Sequence, residues 1–216
     1  MEKHEQGRRA LIAGLGVAAT AGVLGGGRAM AQGVSSAPAS TPFTPTLHAE
    51  DAWMSAMRGS HRVVLDITSP GGVPEGIRFA GNVFNGNRTG YGVEEADMAI
   101  IVCLRHAATA YGYGDAIWKK YGASLDATAT PAPTANPFNS GERAQLTALA
   151  RRGVQFMVCG TASRGIATRL AGQGGDVEAM LAEMRADLIP NGRIVVAGVV
   201  GVTHAQEHGF SMLYVG

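Results

Sequence analysis

Residues 96–104 read ADMAIIVCL, and from Met98 to Leu104 the run holds no charged or amide side chain. Side chains along a strand point alternately to the two faces of its sheet, so a strand without alternation is buried on both. Such a strand lies inside a parallel sheet with a covering layer on each side. The rest of the chain therefore has to supply both layers and the crossovers that parallel strands require.

It supplies them in order. RVVLDI (62–67) is a compact β-branched strand closed by the turn TSPGG. Pro74 then opens a helix that puts Ile77, Ala80, Val83 and Phe84 on one face. GDAIWKKYG (114–122) and ERAQLTALARRG (142–153) read as helices, the second ending on a glycine. VQFMV (154–158) is a strand with Cys159 at its carboxyl end, and 161–170 continues as a helix. Asp176 is the expected N-cap of the next helix, whose buried stripe is Val177, Met180, Leu181, Met184 and Leu188. Pro190-Asn191-Gly192 ends that helix. RIVVAGVV (193–200) is the fourth strand, THAQEHG (203–209) a short helix or turn, and FSMLYV (210–215) the last strand. Repeated β-α order predicts an α/β sandwich with a mainly parallel sheet of about five strands. Residues 122–140, rich in Pro, Ala, Thr and Asn, form a connection of the length seen in lids, partner contacts and disorder.

The first 31 residues read as a Tat-type signal peptide rather than as fold. Arg8-Arg9 precede an uncharged, glycine-rich run, and Ala29-Met30-Ala31 forms an A-x-A cleavage pattern. Gly14-x-Gly16-x-x-Ala19 matches a dinucleotide fingerprint only on paper, because no strand precedes it. Residues 32–58 read as a flexible tether and a short amphipathic segment carrying Trp53, Met54 and Met57, and 59–216 as the α/β domain. Without Lys3, Arg8, Arg9, Arg28, Glu2 and Glu5, the 18 basic and 17 acidic residues fall to 14 and 15. That balance, with no basic tract, excludes a nucleic-acid binder, and cleavage would leave no membrane segment. The expected location is the periplasm.

Open parallel sheets bind ligands beyond the carboxyl ends of their strands. The polar residues there are Asp66, Thr68 and Ser69, then Cys103, Arg105 and His106, then Cys159, then His204. A thiol at a strand end and helix start faces the positive end of the helix dipole. Free cysteine is also among the most buried residue types, so a core thiol, a disulfide half and a reactive group all remain open for Cys159. Arg105, His106 and Arg164 are the residues placed to support its chemistry. Cys103, inside IIVCLR, reads as core. Asp66 could cap its turn, and His204 and His208 lie in a polar segment. The chain holds no HExxH, no CxxC and no GxSxG, and neither a metal set nor a cofactor motif.

Taken in order, GNVFNGNRTGYGVEEADMAIIVCLRH, NPF, LARRGVQFMVCGTASRG and LIPNGRIVVAGVVGVTHAQEHGF resemble the DsrE/DsrF-like family of sulfur-relay proteins, in its exported branch with a twin-arginine signal. The resemblance spans roughly residues 60–215. Its most specific element is the GV-x-F-x-V-C strand that ends in cysteine. It implies a three-layer α/β/α sandwich assembling into trimers or hexamers, and a Cys159 that carries sulfur as a persulfide between thiol-bearing donor and acceptor proteins. It extends to no other site residue.

Three functions fit these residues. One is a periplasmic sulfur carrier using Cys159, with no cofactor. Another is a non-enzymatic oligomeric binding module of the same fold with an unreactive cysteine. The third is a metal or haem-linked site joining Cys159 to His106 or His204.

Overall fold

The computed structural model describes residues 43–139 and 145–216, and Thr44–Gly216 is one compact unit. The expected signal over 1–31 and the start of the expected tether lie outside the described residues. The first described elements are a 3-10 turn, Ala49–Asp51, and a short helix α1, Ala52–Ala56. The elements then follow as β1 (His61–Ile67), α2 (Gly72–Tyr91), β2 (Met98–Leu104), α3 (Asp115–Leu125), α4 (Gln145–Arg151) and β3 (Gln155–Cys159). After them come α5 (Gly160–Ala171), α6 (Val177–Ala186), β4 (Gly192–Val195), α7 (Gly198–Glu207) and β5 (Ser211–Tyr214). None of the described helices is long and apolar enough to cross a membrane.

The five strands form one sheet in the order β4-β3-β2-β1-β5, and every pairing is parallel. The unbroken apolar run is the central strand β2, and all seven of its residues are buried. Its residues alternate between two cores. Ile100, Val102 and Leu104 join Phe84, Trp118, Phe156, Ile166 and Leu181 under α2 to α6. Ala99, Ile101 and Cys103 join Met54, Met157, Val202 and Ala205 under α1 and α7. A fully buried side chain of this size contributes about 1.5–3 kcal/mol, so both layers are held mainly by apolar burial.

Local chemistry explains the element ends. The Asp176 carboxylate accepts the Ala179 N–H at 3.0 Å, which makes it the N-cap of α6. Gly153, at φ 93°, closes the chain after α4 in the left-handed region that glycine enters freely. Residues 126–139 are pinned rather than loose. Asn136 is fully buried, its side-chain amide donating to Tyr111 O at 2.9 Å and Tyr113 O at 2.7 Å, and Phe138 packs edge-on against Tyr111.

The expected strand over 193–200 is corrected: strand geometry stops at Val195, and helix α7 starts at Gly198. The segment 203–209 is not separate but mostly the second half of α7. Valine content favours a strand there, yet two glycines let a helix approach the sheet closely. A Cβ at Gly201 would lie 2.9 Å from the Met157 sulfur and 3.2 Å from Val195 Cγ2. Tertiary packing overrides propensity at this point. The amphipathic segment 52–57 also belongs to the domain, since Met54 is fully buried in the second core.

Candidate functional site

Chain topology locates a crevice. The helices after β1, β2 and β3 all cover one face of the sheet, whereas α7, which follows β4, covers the other. Neighbouring strands whose connections leave in opposite directions open a gap at their carboxyl ends. Here that pair is β3 and β4. Cys159 is the last residue of β3 and the N-cap of α5, directly opposite Val195 of β4.

Two glycines let the backbone close around the thiol. Gly160, the first residue of α5, lies so near β4 that a Cβ would sit 2.5 Å from Val195 O and 2.8 Å from Val196 O. Gly198, the first residue of α7, packs between Arg105 and Cys159: a Cβ there would meet Arg105 Cβ at 2.6 Å and Cys159 Cβ at 3.3 Å. The Gly198 N–H donates to Cys159 Sγ at 3.1 Å, and the Cys103 S–H donates to Gly198 O at 3.7 Å. One peptide residue thus separates the two thiols. On the other side, Tyr113 O–H donates to Ser163 Oγ at 2.6 Å, and Ser163 donates to Cys159 O at 2.8 Å. This buried chain fixes the strand-to-helix turn that carries the cysteine.

Both cysteines are free. Cys103 stands opposite Met157, so Cys159 lies two residues further along the neighbouring strand. Regular sheet spacing then puts their Cα atoms about 8 Å apart, beyond the roughly 7 Å that a disulfide spans. Burial pushes the Cys103 thiol well above its ordinary range, and the Asp66 carboxylate adds to this. Cys103 is a core residue, as its sequence context implies. Cys159 is 6% exposed.

Arg105 and His106 form a second cluster on the same sheet edge. The Arg105 guanidinium grips Asp66 with both arms, Nε to Oδ1 at 2.6 Å and Nη2 to Oδ2 at 2.8 Å. Its Nη1 lies 2.7 Å from His106 Nε2. A guanidinium has no acceptor, so His106 Nε2 accepts and its ring proton resides on Nδ1. Hydrogen bonding to Asp66 raises the Arg105 pKa further and keeps it charged. Its charged end is therefore spent on Asp66 and His106, and only its Cβ region borders the thiol.

No protein-family model matches this chain, and no curated protein does. A protein of unknown function from Methanobacterium thermoautotrophicum is similar in structure, with a TM-score of 0.43 at 16% identity over 72% of this chain and 99% of that one.

The remaining expected residues lie apart. Arg164, on the exposed side of α5, donates from Nη1 to Glu178 at 2.8 Å. It lines a cavity of about 290 Å³ with Gly160, Ser163, Arg185, Val195 and Val196, beside the turn of Cys159. His204 does not follow a strand end: it sits on α7, 2.5 Å from Asp51 and stacked on His48. Ser55 and His208 pair at 2.8 Å, also away from the thiol. Among the described residues, no group of three or more His, Cys, Asp or Glu is arranged to hold a metal ion. Sequence reasoning passed over Gly198. The available signal was a glycine closing a valine-rich run, but its partner thiol is 39 positions earlier.

Proposed function

We propose that this chain is a sulfur carrier in which Cys159 holds sulfane sulfur as a persulfide. The observation that carries this is the Gly198 N–H aimed at Cys159 Sγ in the crevice between β3 and β4. Sulfur transfer makes the cysteine sulfur anionic twice, when it attacks and when it leaves. A fixed N–H at that atom is a preorganised partner for the charge.

The chemistry balances without an oxidant. The Cys159 thiolate attacks the terminal sulfur of a donor persulfide, R–S–SH. The new Sγ–S bond forms as the donor S–S bond breaks, and the donor sulfur leaves with the electron pair and takes a proton. An acceptor thiolate then attacks the terminal sulfur on Cys159, and Cys159 leaves as thiolate. Arg164 and Arg185 give the neighbouring cavity positive charge suited to an anionic donor, and Arg185 has no ion-pair partner among the described residues. Arg105 supports the thiol only by packing its side-chain stem against Gly198, since its charge is taken up by Asp66 and His106. The carrier is taken to work in the periplasm after Tat export, as a homo-oligomer of three or six copies meeting thiol-bearing partner proteins.

The burial of Cys159 favours a second function, an accessory binding module with an inert thiol. Alkylation of the native protein separates the two. A carrier labels at Cys159 in neutral buffer at least about tenfold faster than at Cys103. If neither cysteine labels until the protein unfolds, Cys159 is inert and the binding module stands.

A further inference from the structure

A second cavity, of about 480 Å³, opens on the same sheet edge and is not lined by Cys159. Its apolar walls come from Pro70, Ala110, Leu125 and Ile166, and its ionisable groups are His106, Tyr111, Asp126 and Arg169. The size is that of a small-molecule site, mostly apolar with a few polar groups.

The four ionisable groups are not equivalent, and burial holds the Tyr111 hydroxyl in its neutral form. Asp126 is turned into its own loop: its Oδ1 accepts Thr128 Oγ1–H at 2.7 Å, Thr128 N–H at 3.1 Å and Ala129 N–H at 3.2 Å. Arg169, exposed on α5, has no carboxylate partner among the described residues. His106 holds φ at 52°, a left-handed conformation that few side-chain-bearing residues adopt. That backbone brings its ring to Arg105, whose hydrogen bond occupies Nε2 and leaves Nδ1–H as the donor still unshared. The Asp66–Arg105 pair thus fixes both the tautomer and the orientation of a histidine at the mouth of an apolar cavity. Strained residues of this kind concentrate at functional sites.

We infer that this cavity binds a small organic anion, with its charged group between His106 Nδ1–H and the Arg169 guanidinium and its apolar body against Leu125 and Ile166. The site is separate from the sulfur chemistry of Cys159 and stands or falls independently of it.

Benzoate is the probe, with benzyl alcohol and inorganic phosphate as controls, read by amide NMR shifts in the intact protein. Benzoate is expected to move the Ala107, Ala162 and Gly165 amides saturably. Arg169→Gln and His106→Asn should each weaken binding about tenfold or more, the scale of a lost charge-assisted hydrogen bond. Asparagine tolerates the left-handed conformation, so His106→Asn removes the ring without new backbone strain. Unmoved amides, or benzoate affinity in both variants equal to that of the unsubstituted chain, overturn the assignment. Equal shifts from benzyl alcohol or phosphate also overturn it, since the first dispenses with charge and the second with the apolar body.

Discussion

Arg105→Met is expected to destabilise the protein by about 3–5 kcal/mol, the usual consequence of stranding one partner of a buried ion pair. The Asp66 side chain is 5% exposed and that of Arg105 14%. Methionine keeps most of the aliphatic stem that packs beside Gly198, so the loss comes from an uncompensated carboxylate inside the protein. Adding Asp66→Leu should recover at least half of it, because an apolar pair no longer has a charge to desolvate. Urea unfolding checks this, as a fall in midpoint with an unchanged slope that the second substitution partly reverses. Arg164→Gln provides the contrast. That pair is exposed, 57% for Arg164 and 71% for Glu178, and such pairs contribute under about 1 kcal/mol. A loss under 1 kcal/mol for Arg105→Met would show that the edge network is not structural.

Gly198→Ala is expected to affect stability and sulfur chemistry together. The added methyl would meet Arg105 Cβ at 2.6 Å and Arg105 Cδ at 3.1 Å. Arg105 Cβ is fixed to the end of β2 and cannot move aside, so the start of α7 must. Overpacking of this kind costs about 1–3 kcal/mol. The shift also withdraws the N–H from Cys159, and a hydrogen bond to a charged group is worth about 1.5–3 kcal/mol, or roughly tenfold to a hundredfold in transfer rate. Gly86→Ala reverses the sign. Gly86 lies in the exposed interior of α2 with nothing within 4 Å of an added Cβ, so helix propensity alone acts and stability rises by about 0.5–1 kcal/mol. Thermal unfolding and single-turnover sulfur transfer on both variants check the pair. A Gly198→Ala protein with unaltered transfer would remove the N–H from the mechanism.

The sheet was legible because its strands carry their own signals. Apolar continuity marked β2 and β3, a β-branched run marked β1, and the Asp176 cap marked α6. The fourth strand was read too long because Val199 and Val200 have strand propensity, while the reason they are helical is a close approach to Met157 and Val195. Nothing local in a sequence records that approach. The candidate site was legible to the same extent. A cysteine ending a strand stood out, but its contact with Gly198 exists only because α7 crosses to the opposite face. The grip of Arg105 on Asp66 spans 39 positions and depends on β1 and β2 pairing in one register. The left-handed backbone of His106 had only a weak signal, since histidine is enriched there but glycine is the usual mark of such a position.

The central claim is that Cys159 carries sulfur, and intact mass tests it most directly. The native chain, purified without reductant, is treated with a small persulfide donor and then mapped by peptide. The prediction is a gain of about 32 Da on Cys159 that reductant removes, that an added acceptor thiol takes up, and that Cys159→Ser abolishes. A gain that maps to Cys103, or no gain on a folded protein whose Cys159 is shown to be reduced, contradicts it.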